Sequence, residues 1–387
     1  MGNSMLVFIF WFLIAVIFYT YAGYPVCLLI VSSFKKRDVK KGVYEPRVSV
    51  VVSAFNEEKA IEQKLLNLLE LNYPTEKLEI LIGSDGASDR TDEIVSRFHS
   101  PRIRFFRFVK NFGKPHVLNA LLEEACGEII VFTDVRQELD YESIHALAAN
   151  FKDPEVGCVS GELCFKTEAR SILGHVGKGM DLYWRYEKFL RKKESEIGSM
   201  LGATGAIYAI RRSLFCPVPL DILVDDMYVP LSIVERGYRA VFESRALAYD
   251  RPSERGGEEF KRKVRTLAGN YQIFLHFLNF FMPWKSPIAW QLFSHKFLRV
   301  IAPFSLFGLL ASNLFILSHP FYFWFFLAQI LFYGMAIFEA YYARGTTHRK
   351  GIGYLPYTFC LLNYSALVGL VRFLTGRQKT AWEKAYA

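Results

Sequence analysis

Several acidic residues stand where the chain passes from apolar to polar. Ile129–Phe132 is an unbroken apolar run, and Asp134 lies just beyond it. A lone carboxylate past a buried strand is suited to a hard divalent cation. Arg136, two residues on, could hold phosphate directly through its planar guanidinium, or be a solvated charge ahead of the next helix. Asp85 opens the turn Asp85-Gly86-Ala87-Ser88-Asp89. Its carboxylate can accept hydrogen bonds from a ligand's polar edge while the turn supplies backbone donors. The same pattern also describes a turn feeding a helix capped by Asp89. Asp225 and Asp226 open an apolar run through Met227, Val229, Leu231 and Ile233, where acids also suit a helix dipole. Lys114 is either a phosphate contact or a surface lysine.

The elements that must hold these groups follow from the hydrophobic pattern. Residues 48–52 read as a buried strand, and Ile61, Leu65, Leu68 and Leu69 recur at helical spacing. Residues 78–83, 102–108 and 128–133 read as further strands, with helices from Thr91 and over 115–125 between them. Strands alternating with helices predict an α/β domain with a mostly parallel sheet. Ligands of such sheets bind beyond the carboxyl ends of the strands. Glu57, Asp85 and Asp134 all fall at those ends.

The flanks are different in kind. The chain has 387 residues, of which 52% are hydrophobic and 16% aromatic. Residues 5–31 carry no charge and exceed the length a bilayer requires. Lys35, Lys36, Arg37, Lys40 and Lys41 follow, so this segment predicts a retained anchor with the middle domain on the cytoplasmic side. Residues 260–281 mix basic and apolar side chains as an interfacial helix would. Residues 298–317, 321–342 and 352–374 are each long enough to span. Arg344, Arg349 and Lys350 argue for a cytoplasmic loop. Four spans would then put the C-terminus outside, against Arg372, Arg377, Lys379 and Lys384, unless the last segment is re-entrant. The expected organisation is an anchor (1–34), a catalytic domain (45–259), an interface region (260–297), a membrane module (298–374) and a tail (375–387). The net charge of +9 is explained by basic residues beside an anionic leaflet, and nucleic acid is not an expected partner. The six cysteines show no metal or disulfide spacing and are expected to be reduced, mostly buried small hydrophobes.

The stretch Val50-Val51-Val52-Ser53-Ala54-Phe55-Asn56-Glu57-Glu58, followed by Ser84-Asp85-Gly86-Ala87-Ser88-Asp89, resembles the start of a family 2 inverting glycosyltransferase. The resemblance continues through Lys110-Asn111-Phe112-Gly113-Lys114, Phe132-Thr133-Asp134, Gly202-Ala203-Thr204-Gly205-Ala206 and Val224-Asp225-Asp226. With the flanking spans, it resembles the branch of hyaluronan, cellulose and poly-N-acetylglucosamine synthases. It implies a GT-A type nucleotide-diphospho-sugar transferase domain in a multi-pass cell-membrane protein. It further implies a nucleotide-sugar donor, such as a UDP-sugar, and a lipid-linked or growing glycan as acceptor. By the same resemblance Glu57 and Asp85 contact the donor's base or ribose, and Asp134 holds the metal. Asp226 is the general base, Asp225 stands beside it, and Arg262 and Arg265 lie in the place of the family's Gln/Arg-x-x-Arg-Trp motif. There Arg265 would bind the leaving diphosphate. Two departures stand out. Arg136 replaces the second acid of the usual Asp-x-Asp, and Thr266 replaces the Trp that flanks the acceptor in polysaccharide synthases. Processive synthesis coupled to translocation, and a degenerate binding protein, are the alternatives to sugar transfer onto a lipid-linked or growing glycan acceptor.

Overall fold

A computed structural model describes residues 2–165, 175–250, 256–342 and 353–378. Two compact units divide the chain. One comprises residues 35–167, 191–251 and 378–387, and the other residues 1–34, 168–190 and 252–377.

The first unit is built on one eight-stranded sheet. Its strands are β1 (Val48–Ala54), β2 (Leu78–Asp85), β3 (Ile103–Phe108), β4 (Ile129–Phe132), β5 (Glu138–Leu139), β6 (Val156–Phe165), β7 (Tyr208–Arg211) and β8 (Arg239–Asp250), in the spatial order β3-β2-β1-β4-β7-β6-β8-β5. The block β3-β2-β1-β4 is parallel throughout. Beyond it β7 runs antiparallel to both β4 and β6, while β6 and β8 are parallel. β1 and β4 are buried on both faces, which is why their sequences are continuous apolar runs and not alternating ones. Helix Ile61–Leu69 turns Ile61, Leu65 and Leu68 onto this sheet, and all three are fully buried. The chain order reverses between β1 and β4. That reversal opens a crevice at their carboxyl ends.

Among the described residues the second unit holds four helices long and apolar enough to cross a membrane: Ser4–Phe34, Ala289–Leu314, Pro320–Tyr341 and Tyr354–Leu374. The second predicted span, expected over 298–317, therefore begins earlier in sequence, taking in Ala289–Phe297. Phe10, Leu309 and Ile316 form a small core among these helices. Helix Gly256–His276 takes the place of the expected interfacial segment and ends in a short 3-10 turn, Leu278–Phe281. Arg344, Arg349, Lys350, Lys379 and Lys384, on which the loop and tail expectations rested, lie outside the described residues. Among the cysteines only Cys158 is buried, and Cys126 is exposed, so the expectation of mostly buried thiols fails, although none of the six is in a disulfide.

Candidate active site

The loops after β1 and β2 are stitched together at the crevice. Asn56 adopts a left-handed conformation (φ 54°), which its short polar side chain tolerates better than most. Its Oδ1 accepts the Ser88 N–H at 2.7 Å. The Glu57 N–H donates to Thr91 Oγ1 at 2.7 Å, and the Glu58 N–H to Asp89 Oδ2 at 3.1 Å. Asp89 also accepts the Thr91 N–H at 3.0 Å, as its reading as a helix-start residue requires. Glu57 is half-buried at this junction.

Asp85 has no exposed surface. One carboxylate oxygen accepts the Phe112 N–H and the other the Gly113 N–H, each at 2.8 Å. Both oxygens of this expected donor contact thus also hold backbone. Asp85 fixes the loop 110–113 that leads into helix Lys114–Glu124. Gly86 serves the same junction. It has φ 67°, and a Cβ there would meet the Lys110 carbonyl carbon at 2.4 Å and Asn111 N at 2.7 Å. Neither contact is with a flexible side-chain end, so relief requires the backbone to move. Gly86→Ala is expected to cost about 1–3 kcal/mol and to weaken nucleotide binding. Melting in detergent, with and without a nucleoside diphosphate, checks both effects.

Three carboxylates gather around one ammonium at the ends of β4 and of helix Asp225–Glu235. Lys114 Nζ lies 3.0 Å from Asp134 Oδ1 and 3.2 Å from Asp225 Oδ2, with its side chain only 14% exposed. It is no surface lysine. Gly205 packs against the same group: a Cβ there would stand 3.3 Å from Asp134 Oδ2 and 3.5 Å from Asp226 Oδ2. The small-residue turn is anchored to the helix start by the Ala203 N–H, which donates to the Asp226 carbonyl at 2.7 Å. The Tyr208 hydroxyl is buried without a hydrogen-bond partner, within electrostatic reach of Asp225, Asp226 and Asp134.

Charge placement sets the protonation of this group. Burial and the neighbouring Asp225 raise the Asp226 carboxyl to about 6, while Lys114 and Arg191 pull it back. A carboxylate poised there is ionised at neutral pH yet far more basic than an exposed one, as general-base chemistry needs. Burial opposes the charge of Lys114, but Asp134, Asp225 and Asp226 outweigh it and hold the ammonium protonated well above its usual range.

Arg136 is tied elsewhere. Its Nη2 donates to Asp250 at 3.1 Å, and Gln137 Nε2 reaches the same carboxylate at 2.8 Å. Lys64, also buried, donates to Thr133 Oγ1 at 2.7 Å and the Gln137 carbonyl at 2.6 Å, bracing the segment that carries Asp134. Burial lowers Lys64 to about 7 against the pull of Asp134, Glu138 and Asp250. Sequence reasoning passed over Lys64, Tyr208 and Arg191. Lys64 had a signal, a lysine on the apolar face of helix Ile61–Leu69. Arg191 had none.

The fit of a divalent ion follows from the donor set. Asp134, 38% exposed, offers one accessible carboxylate. Among the described residues no three His, Cys, Asp or Glu side chains are grouped as a metal cage. One carboxylate with diphosphate oxygens suits Mg²⁺ or Mn²⁺ arriving with a nucleotide. Arg262 and Arg265 belong to the other compact unit. Arg262 pairs with Glu259 and lies 6.0 Å from the Trp184 ring, and Arg265 is partly exposed.

The chain is similar to several known proteins. A 246-residue stretch is 27% identical to the poly-beta-1,6-N-acetyl-D-glucosamine synthase of Staphylococcus aureus (strain COL), covering 62% of this chain and 58% of that synthase. The chain thus spans less than two thirds of that relative's length. The probable glycosyltransferase YdaM of Bacillus subtilis (strain 168) is 27% identical over 289 residues, 72% of this chain and 67% of that protein. Among solved structures, the mannosyltransferase PcManGT from Pyrobaculum calidifontis, in complex with GDP-Man and Mn²⁺, superposes with a TM-score of 0.73 at 23% identity. The superposition covers 96% of this chain and 100% of that one, a likeness of fold. Residues 49–216 match the family described as Glycosyl transferase family 2. Residues 49–216 thus carry a family 2 glycosyltransferase match on a GT-A-like sheet, in a chain whose described residues include four helices long and apolar enough to cross a membrane.

Proposed function

We propose that this enzyme transfers a sugar from a nucleoside-diphosphate donor to the hydroxyl of a growing glycan, with inversion at the anomeric carbon. The observation that carries the reading is the convergence of Asp134 and Asp226 on Gly205 at the crevice of the sheet. Asp226 takes the acceptor hydroxyl's proton as that oxygen bonds to the anomeric carbon and the bond to the diphosphate oxygen breaks. Asp134 would hold Mg²⁺ or Mn²⁺, which supplies positive charge beside the departing diphosphate. Glu57 lines the donor side, and Asp85 supports it through the loop 110–113. Arg136 would have to share its guanidinium between Asp250 and phosphate. The donor and acceptor contacts of Arg265 and Arg262 rest on the family resemblance. The basic run after the first apolar helix supports a cytoplasmic catalytic domain.

The named synthase from Staphylococcus aureus supports elongation of a polysaccharide. A second reading, one sugar passed to a lipid-linked acceptor, is favoured by the exposed Thr266, whose hydroxyl is turned back to the Arg262 carbonyl at 3.0 Å. Product length separates the two. Membranes fed labelled nucleotide-sugars, N-acetylhexosamine donors among them, are expected to yield a ladder of polymeric product. A single labelled, lipid-extractable species would replace elongation with single transfer.

A further inference from the structure

Lys114 stands where a cation is wanted. Its ammonium is within ion-pair distance of two carboxylates, one partly exposed and one buried, and a third lies beside them across Gly205. The Tyr208 hydroxyl, buried and unpartnered, lies within electrostatic range of the same three acids. An assembly of three carboxylates without a counter-ion would draw a divalent cation from solution, since like charges held this close repel strongly in a partly desolvated site. The fixed ammonium removes that attraction. It neutralises one face of Asp134 and leaves the other oxygen free.

We propose that Lys114 is the resident cation of this cluster and makes divalent-ion binding conditional on nucleotide. The inference rests on Asp134 being the metal ligand. With Lys114 in place, Asp134 alone is too weak a ligand to retain the ion. The diphosphate oxygens of the donor supply both the missing ligands and the missing negative charge. Metal and nucleotide then enter and leave as a unit, so the enzyme does not hold a stray ion between turnovers. The ammonium also keeps Asp225 from competing with Asp134 for the ion.

The test uses the full chain in detergent at pH 8, with Mn²⁺ followed by electron paramagnetic resonance. Wild type is expected to take up Mn²⁺ only when a nucleoside diphosphate is present. Lys114→Met should bind Mn²⁺ without nucleotide at least about tenfold more tightly than wild type, the lower end of what lifting a contact-range positive charge is worth. Mn²⁺ alone should raise the melting temperature of Lys114→Met and not that of wild type. Lys114→Arg, which keeps the charge, should behave as wild type. If Lys114→Met does not fold, Lys114→Gln takes its place in the same titration. Nucleotide-free affinity unchanged in the neutral variants would overturn the role given to Lys114 while leaving Asp134 as ligand. Absence of Mn²⁺ uptake by wild type even with nucleotide would overturn the metal reading itself, and this inference with it.

Discussion

Replacing Asp226 by Asn should nearly abolish sugar transfer while making the protein more stable. General-base catalysis contributes about 10²–10⁴-fold, and Asn, which cannot take a proton, should lose that much in turnover with donor binding almost intact. Stability moves the other way for a reason legible in the cluster. The Asp226 carboxyl is held near 6 in the folded protein, above its ordinary 3.8, because burial and Asp225 disfavour its charge. Between those two pH values the folded state binds more protons than the unfolded state. The wild-type protein therefore loses stability as pH rises from about 4 to about 6, and does not regain it above. Asn removes that penalty, and partial exposure trims the gain to about 1–3 kcal/mol at neutral pH. Lys114 keeps two carboxylates, so the substitution does not strand it. The melting curve of Asp226→Asn should thus shift upward at pH 7.5 and converge on wild type near pH 4. Transfer by wild type should fall as pH drops through about 6. A variant that melts lower than wild type at neutral pH, or a flat pH profile across that range, would remove Asp226 from the role of base.

Asp134→Ala is expected to have the other large effect, and of a different kind. Loss of the accessible carboxylate should abolish nucleotide-dependent Mn²⁺ uptake and reduce transfer by about 10²–10³-fold, the scale seen when one group stabilising developing charge is removed. The contrast with Asp226→Asn is the informative part: that variant should still take up Mn²⁺ with nucleotide, whereas Asp134→Ala should not. Calorimetry of nucleoside diphosphate binding with and without Mn²⁺ reads this directly. Wild-type transfer surviving excess chelator would sink the metal role and pass the diphosphate to Lys114 and Arg136.

The parallel half of the sheet and the strand-end acids were legible because they depend on local pattern. Continuous apolar runs at 48–52 and 129–132 imply strands buried on both faces, and the polar residues following them must then lie at the crevice. What the sequence could not display were relations between distant residues. Lys114 and Asp225 are far apart along the chain, and only the packing of two helices' first turns brings them within 3.2 Å. Asp85 was placed at the donor by family resemblance, and no spacing rule could show that both its oxygens also take backbone N–H groups from the loop 110–113. Arg136 likewise found its partner in Asp250, at the far end of β8, where no spacing rule reaches.

The two margins of the sheet carry a consequence for crowding. A sheet margin presents unpaired backbone groups to any second chain, and proteins concentrated in the plane of a membrane meet one another often. Here one margin is β5, only two residues long. The other is β3, whose sequence Ile-Arg-Phe-Phe-Arg-Phe would otherwise be an adhesive hexapeptide. Arg104 is drawn to Glu79 and Glu124, and Arg107 to Asp92, so two charged side chains interrupt that strand and are held there by ion pairs. Charges held in this way disfavour pairing of an edge strand with a second chain, so Arg104 and Arg107 fit the part of gatekeepers at high surface density.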